Sequence, residues 1–223
     1  MIRIINNIFL ILIFSLGLMA FDVVPVWAAG MDQMYYLNLQ APYTRIGGDF
    51  DGKLDSPKIY QLYELKESLG YGLAFGATRE MYACEISYSQ SEHRILNLIP
   101  ESDAKLETLN ISVKINPSSF IDKRCRPYAL VGWGISKFKV ENGAIMTIGS
   151  EVFISTAKYE GTGFHLGFGL NWRLGRRIAI DGSVAYYRYD MDTVKYFGGK
   201  EEPPQGDVIM ANTVASLGVQ YYF

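Results

Sequence analysis

The chain ends Ser216-Leu217-Gly218-Val219-Gln220-Tyr221-Tyr222-Phe223, and that ending narrows the available folds more than any other segment. Side chains alternate between the two faces of an extended strand. Phe223, Tyr221, Val219, Leu217 and Ala215 therefore share one face, and Tyr222, Gln220, Gly218 and Ser216 the other. A water-soluble strand packs its apolar face on a core, and its terminus usually frays in a polar tail. Here the apolar face runs into an aromatic final residue, as expected of a strand that faces lipid and ends in an interfacial aromatic girdle.

The first residues add an independent constraint. Arg3 gives a thin positive region, Ile8 to Phe21 is apolar apart from Ser15 and Gly17, and Val26-Trp27-Ala28 offers a cleavage site. This reads as a secretory signal peptide over residues 1–28, leaving 29–223 as one domain. The apolar run falls short of the ~20 residues that a membrane-spanning helix needs. Every other hydrophobic stretch is interrupted by Gly, Ser or charge. Yet 49% of the chain is hydrophobic and 16 residues are Tyr, which for a secreted chain without a long apolar run suits a membrane barrel. The net charge is −2, and no basic cluster suggests nucleic acid as a partner.

Eight period-two segments follow, near Gln33–Ala41, Leu65–Thr78, Met81–Ser89, Glu107–Ile115, Tyr128–Phe138, Gly163–Leu174, Ile178–Tyr189 and from Ile209 onward. The sixth is the clearest: Phe164, Leu166, Phe168, Leu170 and Trp172 alternate with Gly163, His165, Gly167, Gly169, Asn171 and Arg173. In the second, Leu65, Leu69, Tyr71, Leu73, Phe75 and Ala77 should point outward and Lys66 inward. A two-residue turn at Arg79-Glu80 would set Thr78 opposite Met81 and Phe75 opposite Cys84. Connections are alternately short and long, the asymmetry of barrels with short periplasmic turns and long external loops. The fold expected is all-β: a closed antiparallel eight-stranded transmembrane β-barrel. Its narrow interior requires small residues beside large ones, a need met by Gly70, Gly72, Gly76, Gly132, Gly134, Gly167 and Gly169. A soluble lipocalin-type barrel would invert the pattern, with aliphatics inside.

The runs SLGYGLAFGATREMYACEISYSQSE, LETLNISVKINP and RPYALVGWGIS resemble the small outer-membrane β-barrel domain family, OmpA-like and opacity-type. The final segment resembles the C-terminal signature that outer-membrane assembly machinery reads, which would make Leu217, Val219, Tyr221 and Phe223 an assembly signal. The resemblance implies the bacterial outer membrane as location. It encodes architecture and not chemistry, and no room remains after Phe223 for a C-terminal periplasmic domain.

Four charges, Glu85, Lys114, Arg173 and Asp181, have inward parity in the periplasmic half. Unpaired charge in so narrow a lumen is costly, so Glu85 should pair with Lys114, and Arg173 with Asp181 across the Gly-Arg-Arg turn. The set is either a gate or a plug of salt bridges, and the plug is the simpler account. Lipid A-modifying barrels set a His near a Ser facing lipid. His165 faces inward with Leu166-Gly167 after it, and His93 has no Ser two residues on, so both read as solvated or hydrogen-bonded. Two histidines without a cysteine cluster argue against a metal site. Gly47 to Asp55 lacks the Glu that an EF-hand needs and reads as a flexible acidic loop. Ile145, Met146, Ile148, Val152, Phe153 and Ile154 make the third external loop apolar; it either extends its hairpin above the membrane or binds a partner. Cys84 and Cys125 both belong to the oxidising periplasmic end and form a candidate disulfide, with free thiols as the alternative.

These readings describe a monomeric outer-membrane protein without cofactor or enzymatic activity, structural or interacting through its loops. Its partners would be the lipid bilayer, the assembly machinery and an unidentified loop ligand. The alternatives are a narrow small-solute channel of the OmpW or porin-like sort, and then a lipid A-modifying enzyme.

Overall fold

The computed structural model describes residues 34–50, 65–79, 81–95, 102–120, 123–148, 151–195, 201–202 and 208–223, with side chains left out at 142–155 and 201–202. The expected signal peptide lies outside them. The strands are β1 (Met34–Gly48), β2 (Ser68–Leu69), β3 (Tyr71–Arg79), β4 (Tyr82–Arg94), β5 (Asp103–Ile115), β6 (Cys125–Ile148), β7 (Glu151–Arg173), β8 (Ile178–Lys195), β9 (Glu201–Glu202) and β10 (Val208–Tyr222). A 3-10 turn, Ser118–Phe120, lies between β5 and β6.

β1 pairs with β3 on one side and β10 on the other, and β10 pairs back onto β8. The ring β10-β1-β3-β4-β5-β6-β7-β8 therefore closes, antiparallel throughout, and closure removes the unpaired edges that lipid would not tolerate. β2 continues β3 across Gly70 in one register, Tyr43 opposite Leu69 and Gln40 opposite Gly72. Strand number and facing match the sequence reading, with β2 and β3 together as its second segment.

Side-chain facing divides the barrel into two zones. Toward the end with the short turns, the outer face carries Leu39, Leu73, Phe75, Ile86, Leu109, Leu166, Phe168, Trp172, Leu217 and Val219, all exposed. The stretch from Tyr35 to Tyr43, at ~3.3 Å per residue and ~40° tilt, makes a belt roughly 20 Å tall. Toward the opposite end the pattern inverts. Phe138, Val140, Ala157 and Tyr159 are buried inside, while Lys137, Lys139, Lys158 and Glu160 alternate with them on the outside. There the strands run on above the lipid as a water-soluble barrel would.

That inversion explains what the sequence reading mistook for loops. The connection expected over Lys139 to Thr162 is mostly paired strand, Ala144 opposite Ser155 and Ile148 opposite Glu151, after an irregularity between Val140 and Ala144. β4 and β5 likewise reach Arg94 and Asp103. The apolar hairpin thus extends the barrel in its backbone; its side chains fall outside the described set.

Two further expectations are corrected. The first hairpin pairs Arg79 with Tyr82 and Thr78 with Ala83, so Phe75 lies opposite Ile86 and Cys84 opposite Ala77. A shift of two residues keeps every side chain on its face, so hydrophobic pattern alone cannot choose between the two registers. Leu65 is buried rather than outward, bridged to Ile95, and Lys66 is exposed. The backbone is irregular over Lys66 and Glu67, and parity does not carry through it.

Candidate functional site

The lumen near the short turns is filled by a charge network. Lys114 Nζ lies 2.7 Å from Glu85 Oε2 and 3.8 Å from Asp181 Oδ2, and its side chain is only 8% exposed. Tyr36 OH donates to Glu85 at 3.0 Å and Tyr128 OH to Asp181 at 3.0 Å. The Nδ2 groups of Asn38 and Asn171 donate to Asp181, each at 3.4 Å. The ammonium also faces the rings of Tyr128 and Tyr36, at 4.9 and 5.7 Å from their centroids, a placement that favours a cation. Glycines make the space: a Cβ on Gly76 would strike the Tyr36 ring, and one on Gly169 the Tyr128 ring.

Arg173 is not the partner of Asp181. The β7–β8 register sets Asn171 opposite Asp181 and Arg173 opposite Ala179, one inward position nearer the turn. The guanidinium instead lies over the Tyr222 ring, 4.8 Å from its centroid. Asp181 is thus shared by Lys114, Tyr128 and two amides, an arrangement that needs β1, β5, β6, β7 and β8 to present side chains at one height.

Midway up, His165 Nε2 is hydrogen-bonded to Ser112 Oγ at 2.9 Å, and the ring stacks on Tyr187 at 4.7 Å. Ser112 lies opposite Gly132, and Gly132 opposite His165. The glycine between them has no side chain, so the two meet across it; a Cβ there would overlap the imidazole. His93 Nε2 pairs with Ser91 Oγ at 2.8 Å, and its Nδ1 with the Lys66 carbonyl at 2.9 Å. Burial lowers the pKa of His93, which sits above the lipid belt.

Both Ser–His pairs escaped the sequence reading. Ser91 was legible as the same-face neighbour two residues before His93, whereas Ser112 required the strand order. Both pairs point into the lumen, His165 Nδ1 has no hydrogen-bond partner among the described residues, and Glu85 is committed to Lys114 and Tyr36. A base without an orienting acid, away from lipid, is not the arrangement of a hydrolytic triad.

The far end is closed by an apolar plug. Gly48 adopts φ 77°, a left-handed conformation that glycine takes at little cost. It turns the chain inward so that Asp49 N–H donates to the Ile209 carbonyl at 2.9 Å and Asp49 Oδ2 accepts from Ile209 N–H at 2.9 Å. Phe50 then drops into the lumen, fully buried, edge-on to Phe138 at 5.1 Å and Tyr159 at 5.4 Å. Ile46, Leu106, Val140, Met191, Val208 and Met210 belong to the same buried cluster. The start of the loop read as flexible and acidic is thus a latch; residues 51–64 lie outside the described set.

Cys84 and Cys125 are free thiols. Cys84 faces outward opposite Val113, which pairs with Val131 on β6. Cys125 lies six residues below Val131, opposite Trp172. That offset is roughly 20 Å, against the ~7 Å limit for bridged Cα atoms. At the seam, Phe223 N–H donates to the Tyr35 carbonyl at 3.0 Å. The Phe223 ring lies 6.2–6.5 Å from Tyr35, Phe75 and Tyr221. Val219 and Leu217 continue this outward row above it.

Several solved barrels superpose on this fold. OprG of Pseudomonas aeruginosa is 16% identical, with 86% of this chain and 95% of that chain covered and a TM-score of 0.57. A major outer membrane protein of Thermus thermophilus is 13% identical, with 85% and 99% covered and a TM-score of 0.55. Neisserial surface protein A is 14% identical, with 85% and 97% covered and a TM-score of 0.53. At these identities the likeness is one of fold. A comparison with curated protein sequences finds no significant match. The outer membrane protein beta-barrel domain matches residues 10–223, and the chain belongs to that family, as a closed barrel of the bacterial outer membrane.

Proposed function

We propose that this protein is a sealed, non-enzymatic, monomeric barrel of the cell envelope whose role beyond envelope integrity is carried by its external hairpins. The observation behind this reading is the double closure of the lumen. The Phe50–Phe138–Tyr159 plug closes the external end, and the Lys114–Glu85–Asp181 network fills the periplasmic half. The apolar cluster offers water and ions few hydrogen-bond partners, and the polar pair at the same height, Ser91 and His93, is already bonded to itself and to the Lys66 carbonyl. The strands that stand above the lipid carry polar outer faces suited to meeting a partner in water.

Conductance tests it. The protein, refolded in detergent and verified by heat-modifiable gel migration, is added to a planar bilayer. The expected trace is flat for the wild type. Discrete unit steps from wild-type protein would overturn the sealed-barrel reading in favour of a small-solute channel.

A further inference from the structure

We propose that the periplasmic rim between the start of β6 and the β7–β8 turn binds the phosphate headgroup of an anionic phospholipid in the inner leaflet. Two short basic segments meet there, Lys123-Arg124-Cys125-Arg126 and Arg173-Leu174-Gly175-Arg176-Arg177. They are held side by side by the Cys125–Trp172 pairing and by Arg173 N–H, which donates to the Arg124 carbonyl at 2.8 Å. Between them lies a cleft of about 300 Å³ lined by Lys123, Arg124, Arg126, Arg173 and Arg176 together with Leu174. Among the described residues no acidic side chain lines it; Asp122 lies outside them.

The rest of the surface makes this cluster distinctive. Toward the external end, cations are interleaved with acids: Lys105, Lys139, Lys158 and Lys195 lie in one row across four strands, and ion pairs join Lys105 to Glu107 at 2.7 Å, Lys139 to Glu141 at 3.4 Å, Arg188 to Asp190 at 3.8 Å and Lys195 to Glu160 at 3.8 Å. Inside the barrel Lys114 is matched by Glu85 and Asp181. The charged side chains that line the periplasmic cleft are all cationic among the described residues, with Arg124 and Arg176 the exposed arginines at its mouth, and arginine forks suit phosphate oxygens bidentately.

The cleft's position selects a lipid over a free anion. Leu174 forms part of its wall, and Leu174, Trp172 and Ile178 are exposed on the outer face beside it. An acyl chain can lie along Trp172 and Leu174 while its phosphate enters the cleft from the headgroup level. Basic pockets at this depth are suited to anionic headgroups.

Native mass spectrometry from neutral detergent supplies the test, with full-length mature protein titrated against three probes: short-chain phosphatidylglycerol, short-chain phosphatidylcholine and inorganic phosphate. The expected result is one phosphatidylglycerol bound at least ~10-fold more tightly than phosphatidylcholine, with phosphate at equal concentration unable to displace it. Arg124→Gln/Arg176→Gln should weaken that binding ~10-fold or more, at roughly 5-fold per cation near the headgroups. Arg124→Lys/Arg176→Lys should retain most of it. Both positions are solvent-exposed, so heat-modifiable migration should be unchanged, and Arg176→Gln alone gives the same readout if the double variant misfolds. Equal binding of the two lipids, wild-type binding by the Gln variants, or phosphate binding as tightly as phosphatidylglycerol would each overturn the proposal.

Discussion

Replacing Lys114 by Met should destabilise the barrel far more than replacing its nearer acidic partner, Glu85, by Gln. The ammonium is the cation shared by two buried carboxylates, 2.7 Å from Glu85 and 3.8 Å from Asp181. Its loss leaves both negative in a lumen from which water is largely excluded, and breaking a buried pair in this way costs about 3–5 kcal/mol. Glu85→Gln removes one acid but leaves Lys114 facing Asp181, and the new amide oxygen can still accept from Tyr36. Its cost should be nearer ~1–2 kcal/mol. The double variant Glu85→Gln/Lys114→Met leaves only Asp181, which keeps donors from Tyr128, Asn38 and Asn171. It should therefore be more stable than Lys114→Met alone, a coupling opposite in sign to simple addition. Urea unfolding in lipid vesicles, followed by gel migration and intrinsic fluorescence, gives the three midpoints. If Lys114→Met proved as mild as Glu85→Gln, or the double variant cost the sum of the singles, the shared-cation account would fail.

Three other outcomes are expected. Gly132→Ala should cost roughly 1–3 kcal/mol, because its Cβ would overlap both the His165 ring and the Ile111 carbonyl; Gly175→Ala, with nothing within 4 Å, should stay within ~0.5 kcal/mol, and urea midpoints compare them. Deleting Phe223 should lower surface levels in cells much more than it lowers the midpoint of refolded protein. One girdle aromatic contributes at most ~1.5–3 kcal/mol, and this one is 62% exposed; equal surface levels of mutant and wild type would contradict that. Alkylation of unreduced, denatured protein should modify both Cys84 and Cys125, as mass spectrometry can count, and in the folded state Cys125 at the open rim should react first.

The alternation of apolar and polar residues was enough to read strand number, inward and outward facing and barrel closure, because a period of two reports which face a side chain takes. It also placed Glu85 and Lys114 together, since adjacent strands joined by a known parity leave them few other partners. Facing says nothing about height. The two-residue shift of the first hairpin, the position of Arg173 below Asp181 and the meeting of Ser112 with His165 across Gly132 are all questions of relative height, decided by the registers of several strands at once.

An outer apolar row marks a strand only as far as the outer face meets lipid. Above the lipid the outer face meets water, so the same alternation continues with its sense reversed, and β6 and β7 run on as strand. Phe50 lay in a segment whose glycines and acids looked like an exposed loop; only the closed barrel, with an apolar mouth that must be filled, turns it inward. Local pattern thus determined the faces of the strands. Ring closure decided their heights and what fills the barrel, because a side chain's neighbours across a lumen come from strands far apart in the chain.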